Sequence, residues 1–103
     1  MIHGTYQVVM KTSMGKKYGR LTLFENEKSL TGNFDILGHD LEIRDGILTD
    51  GRCRFSGEFI TPVRNIAYWA EGVLDEHGVE LLVHTDSYDM SLSGEIENTK
   101  TKR

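Results

Sequence analysis

Apolar side chains recur at every second position along most of the chain, the period of a strand with one buried face. No segment carries a sustained helical stripe. Tyr6, Val8 and Met10 alternate with Thr5, Gln7 and Lys11, and Leu21 and Leu23 alternate with Arg20 and Thr22. A third strand sets Leu30, Gly32, Phe34 and Ile36 against Thr31, Asn33 and Asp35. A fourth begins with Leu41 and Ile43, and its phase breaks at RDGIL, where Gly46 suggests a bulge before Leu48. Cys53, Phe55, Gly57 and Phe59 mark a fifth strand, and Ile66, Tyr68, Ala70, Gly72 and Leu74 a sixth. Val79, Leu81 and Val83 mark a seventh; Met90, Leu92, Gly94 and Ile96 mark the last.

Short polar connections join these segments: SMGKK, ENEKS, LGHD, TDGR, TPVR, DEHG and TDSYD. Most hold Gly, Asp or Asn, which accept the positive backbone angles of tight hairpins. Pro62 falls in one of them, where its missing donor does no harm. Connections this short make neighbouring strands antiparallel, so the pattern predicts an all-β, up-and-down meander of about eight strands.

Glycine recurs in the inward phase, in LTGNF (30–34), FSGEF (55–59), LSGEI (92–96) and the looser AEGVL (70–74). Each such glycine costs roughly 0.5–1 kcal/mol of backbone entropy relative to alanine, so the repetition points to a steric need. In a small closed sheet, inward side chains from every strand compete for the same space, and glycine relieves the crowding and lets the strand coil sharply. The expectation is therefore a meander closed into a barrel. A two-sheet sandwich is the other architecture the pattern allows.

The chain of 103 residues reads as one domain over 1–97 followed by a basic, solvated tail, 98–103, that contains KTKR. With 38% hydrophobic and 27% charged residues and a net charge of −4, it has the composition of a soluble globular protein. The acidic balance, with its scattered basic residues, argues against nucleic acid as a partner. No apolar run approaches the ~18 residues of a membrane span. The start, MIHGTYQ, lacks the features of a secretion signal, and Cys53 has no second cysteine to pair with. These features predict a cytoplasmic location.

Gly4-x-Tyr6-x-Val8-x-Met10, then Thr12-Ser13-Met14-Gly15, Leu21-x-Leu23 and Leu30-x-Gly32, resembles the opening of small bacterial calycin-like domains. In that group, which broadly includes lipocalins and avidins, a Gly-x-Trp strand leads into an antiparallel meander barrel. The resemblance implies the barrel fold and a small apolar ligand held inside it. Tyr6 stands where the group usually has the tryptophan that plugs the barrel base, and HTDSYDMSLSG departs from the group's more regular ending.

The inward phase supplies a candidate ligand lining: Tyr6, Met10, Phe34, Phe55, Phe59, Tyr68, Met90 and Leu92. An eight-stranded barrel is just wide enough either to fill itself or to hold one small ligand. A second feature lies out of phase. Ile60, Ala67, Trp69, Val73 and Leu82 would form an apolar strip outside the barrel, the mark of an interface and most simply of a symmetric homodimer. A bulge near Trp69 would instead turn that ring inward.

No motif identifies a reaction or names a cofactor. His84, Asp86 and Asp89 in HTDSYD are the residues an acid–base or metal role would use, but Asp and Ser are ordinary turn residues and the other histidines have no ligand spacing. SMGKKYG lacks the spacing and helix of a phosphate loop and reads as a polar hairpin. Cys53, in phase with Phe55 and Phe59, reads as a small structural hydrophobe. Two functions follow as expectations: a non-enzymatic binding barrel for a small apolar ligand, or a self-assembling interaction module with a solid core.

Overall fold

The computed structural model describes residues 2–97. The expected tail, 98–103, lies outside the described residues. Nine strands follow one another: β1 (His3–Thr12), β2 (Gly15–Asn26), β3 (Ser29–Ile36), β4 (His39–Glu42), β5 (Arg44–Thr49), β6 (Arg52–Ile60), β7 (Asn65–Leu74), β8 (Gly78–His84) and β9 (Asp89–Ile96). Every pairing is antiparallel. Eight of the strands close a ring: β9 returns to β1 through Tyr6↔Ile96 to Lys11↔Ser91, and β4 is an extra strand hydrogen-bonded to β3. The predicted barrel is the fold. Among the described residues there is no helix, so none is long and apolar enough to cross a membrane.

Alternation decides which side chains enter the core. On β3 the pattern is strict, with Leu30, Gly32, Phe34 and Ile36 buried and the residues between them exposed. The RDGIL break is a register shift between Arg44 and Ile47, with Asp45 in the left-handed region at φ 54°. The expected fourth strand is two, β4 and β5, which part at the buried Ile43, whose backbone N–H donates to the Gly32 carbonyl at 3.0 Å. Asp50 (φ 52°) and Gly51 (φ 80°) make the tight β5–β6 turn that TDGR signals.

One end of the barrel is sewn by a repeated device. Thr12, Thr61 and Thr85 each open a turn and donate a hydroxyl hydrogen bond to the carbonyl three residues on, at Gly15 (2.8 Å), Arg64 (2.6 Å) and Tyr88 (2.9 Å). At the opposite end, Tyr6 is buried and its hydroxyl donates to the Asp75 carbonyl at 2.7 Å. It thus closes that end of the barrel. Burial, and then the nearby Asp75, push its pKa up to about 12, so the phenol stays a donor.

Of the two expected causes of the glycine repeat, sharp coiling of the wall accounts for more of it than crowding of the interior. A Cβ on Gly32, Gly72 or Gly94 would strike a carbonyl of the adjacent strand, on Thr22, Glu80 and Gln7 respectively. The constraint is strand against strand within a sharply coiled wall, not bulk across the interior. Only Gly57 matches the crowding argument: a Cβ there would lie 2.6 Å from the Tyr68 hydroxyl, because the Tyr68 ring folds over this glycine, its direct cross-strand partner.

Candidate functional site

All eight residues of the predicted lining are buried inside the barrel. Their rings occupy one another's faces and edges. Phe59 and Tyr68 stack at 4.4 Å between centroids, while Phe34 meets both edge-on at 5.9 and 6.2 Å and Phe55 meets Tyr68 edge-on at 6.3 Å. Such pairs add about 0.5–1.5 kcal/mol each beyond area burial, so this cluster is a strong packing nucleus. Cys53 is buried beside it, and desolvation pushes its thiol up to about 11, against a smaller opposing pull from Arg52. It therefore stays protonated and unreactive at neutral pH.

The outer strip divides. Trp69, Val73 and Leu82 are 47%, 44% and 50% exposed, Ala67 is exposed and Ile60 is half-buried. The β6–β7 ladder runs from Arg52↔Val73 to Ile60↔Asn65 without a register shift, so no bulge turns Trp69 inward. Cross-strand pairing sets Glu71 beside Leu82 and Val73 beside Glu80, which gathers Val73 and Leu82 on one face. On the β6 side, Arg52 pairs with Val73 and Arg54 with Glu71. The apolar centre is thus flanked by two arginines and two glutamates.

At the edge of this face, β8 ends in a charged clamp. His84 pairs with Trp69 across the ladder, and the two rings stack at 4.1 Å. Its Nδ1 lies 2.9 Å from an Asp89 oxygen on β9 and its Nε2 3.1 Å from a Glu71 oxygen on β7, while the side chain is 16% exposed. The hydrogen bond to Asp89, then that to Glu71, raises the His84 pKa above its ordinary value. Protonated, the imidazolium donates to both carboxylates and ties three strands together.

Of the three residues singled out in HTDSYD, the fold joins His84 and Asp89 but not Asp86, which accepts a bond from Ser87 at 3.2 Å. Glu71 is the member that sequence reasoning missed. Its only signal was an outward glutamate two residues beyond Trp69 on a neighbouring strand. The clamp's two nitrogens face different carboxylates, and among the described residues no three His, Cys, Asp or Glu side chains converge as ligands for one ion. The arrangement orders a surface; it does not assemble a nucleophile beside a base.

No protein-family model, curated protein or solved structure matches the chain.

Proposed function

We propose that this chain is a non-catalytic assembly module that pairs with a second copy of itself through the outer face of β7 and β8. The observation that carries this reading is that Trp69, Val73 and Leu82 stand half-exposed on one face while the other face of β7 is already buried. Large apolar side chains grouped in this way mark an interface. The surrounding charge favours self-pairing. Arg52 and Arg54 lie on the β6 side, with Glu71 and Glu80 toward β8, so a copy turned by a two-fold axis meets opposite charge. A stable contact of this kind buries roughly 800 Å² per partner. That is a modest share of the 6648 Å² surface.

The alternative is a small apolar ligand inside the barrel, in the manner of calycin-like domains. The closed eight-stranded wall supports it. The mutual stacking of Phe34, Phe55, Phe59 and Tyr68 weighs against it, because the rings that would grip a ligand already grip one another.

Sedimentation velocity on wild type and Leu82→Glu separates the readings. Wild type sediments as a dimer and Leu82→Glu as a folded monomer. A wild-type monomer at every concentration up to the millimolar range, or a Leu82→Glu dimer, would sink the proposal.

A further inference from the structure

Within the self-pairing proposed above, on which this regulation rests, we infer that His84 makes the pairing of two copies pH-dependent. Its protonated ring holds Glu71 toward β8 and leaves Arg54 free for the second copy. Loss of that proton returns Glu71 to Arg54 and weakens the pairing.

Glu71 stands between two cations. On β6 its direct cross-strand partner is Arg54; on β8 its direct partner is Leu82, with His84 two residues farther along the same face. The glutamate reaches diagonally to His84 Nε2 at 3.1 Å. Arg54 is left with no ion pair among the described residues. Opposite charges set directly across a ladder attract, so Arg54 is the standing alternative for Glu71.

The proton count of the ring sets the choice. Its two nitrogens face two carboxylates, Asp89 at 2.9 Å and Glu71 at 3.1 Å, and only the imidazolium donates to both. The Trp69 face stacked on the ring also favours the cation. A neutral ring keeps one N–H. The shorter contact, and the largest cause of the raised His84 pKa, is the bond to Asp89, so that proton stays on Nδ1. Nε2 then turns a lone pair toward the Glu71 oxygen, which it repels, and the partly exposed Glu71 side chain swings to Arg54. Glu58, Arg64 and Asp86 line the cleft beside His84 but make no hydrogen bond to it, so none takes the place of Glu71.

Deprotonation opposes pairing in two ways. The Glu71–Arg54 pair lies within one copy and is always in reach, so it withdraws a cation and an anion that a second copy would meet. Each copy also returns to its formal net charge of −4, one unit more negative than with this ring protonated, which adds repulsion between copies.

The test is sedimentation velocity of the full chain from about pH 6 to about pH 8.5, a range that spans the histidine titration. Wild type should pair roughly three- to tenfold more tightly at the acid end, because a two-fold axis counts one exposed-pair effect twice. His84→Gln has no proton to lose and Glu71→Gln no carboxylate to release, so each should pair with one affinity throughout. If His84→Gln fails to fold, Glu71→Gln decides alone. Imidazole nitrogen shifts of Leu82→Glu, a monomer on this account, test the switch without the dimer. There His84 should titrate above the ordinary 6.5 and, once neutral, keep its proton on Nδ1. Wild-type pairing equally tight at both ends of the series, a pH step that survives in a folded variant, or a neutral ring protonated on Nε2 would overturn the regulation and leave the docking face standing. A wild type that is monomeric at every pH removes the docking face, and the regulation with it.

Discussion

Tyr68 and Trp69 are neighbours in the chain and opposites in the fold. Tyr68 is 5% exposed, stacked on Phe59 and folded over Gly57; Trp69 is 47% exposed on the outer wall, with His84 against its ring. The same contrast runs along β7, where Ala70 and Leu74 are buried while Val73 is half-exposed. A strand with one wet face alternates apolar and polar residues. This one carries large apolar side chains on both faces, and a barrel of eight strands supplies a core for only one of them. The second face is the one that the proposed pairing of two copies would cover.

That comparison can be broken from the inside or from the outside. The largest effect belongs inside. Phe55→Ala removes a fully buried ring that packs edge-on against Tyr68 and should cost about 3–5 kcal/mol in urea unfolding, a large part of the stability of a domain this size. A cost near that of a surface change would mean the cluster is not the core. Gly57→Ala comes next. Its new methyl displaces the Tyr68 ring, and overpacking of this kind costs roughly 1–3 kcal/mol.

Outside, Trp69→Ser should change the stability of the dilute barrel by only about 0.5 kcal/mol, as surface substitutions do, while abolishing the association of copies at high concentration. A collapse of the fold would place Trp69 in the core after all.

The smallest expected effect is electrostatic. The folded-state pKa of His84 lies above its unfolded value, so its contribution is fully present below the unfolded pKa and is lost as pH rises through the folded one. Wild type should therefore lose a little stability as pH climbs above about 6.5, and His84→Gln should flatten that slope. An unchanged slope would show that the clamp carries no linkage.

How much of this was legible in the sequence depended on range. Period-two alternation is local, so the strands and the inward set from Tyr6 to Leu92 could be read directly. The bulge could be read too, because RDGIL breaks the phase within a few residues. The particular contacts that require Gly32, Gly72 and Gly94 could not. They depend on how closely Thr22, Glu80 and Gln7 approach from adjacent strands, which no local pattern marks. The Glu71–His84–Asp89 clamp was hidden for the same reason, since its members meet only once the registers of two hairpins are fixed. The turns opened by Thr12, Thr61 and Thr85 did leave a repeated mark, a threonine three residues before the accepting carbonyl, which an eye on glycine passes over.

Trp69 is the only tryptophan in the chain, so its fluorescence reports on the outer face alone. Emission followed from millimolar to nanomolar protein tests the docking surface most directly. Burial against a second copy predicts a blue-shifted spectrum at high concentration that moves to the red on dilution, with a midpoint that Leu82→Glu abolishes. A spectrum that stays put across that range, with the protein folded throughout, would contradict the account.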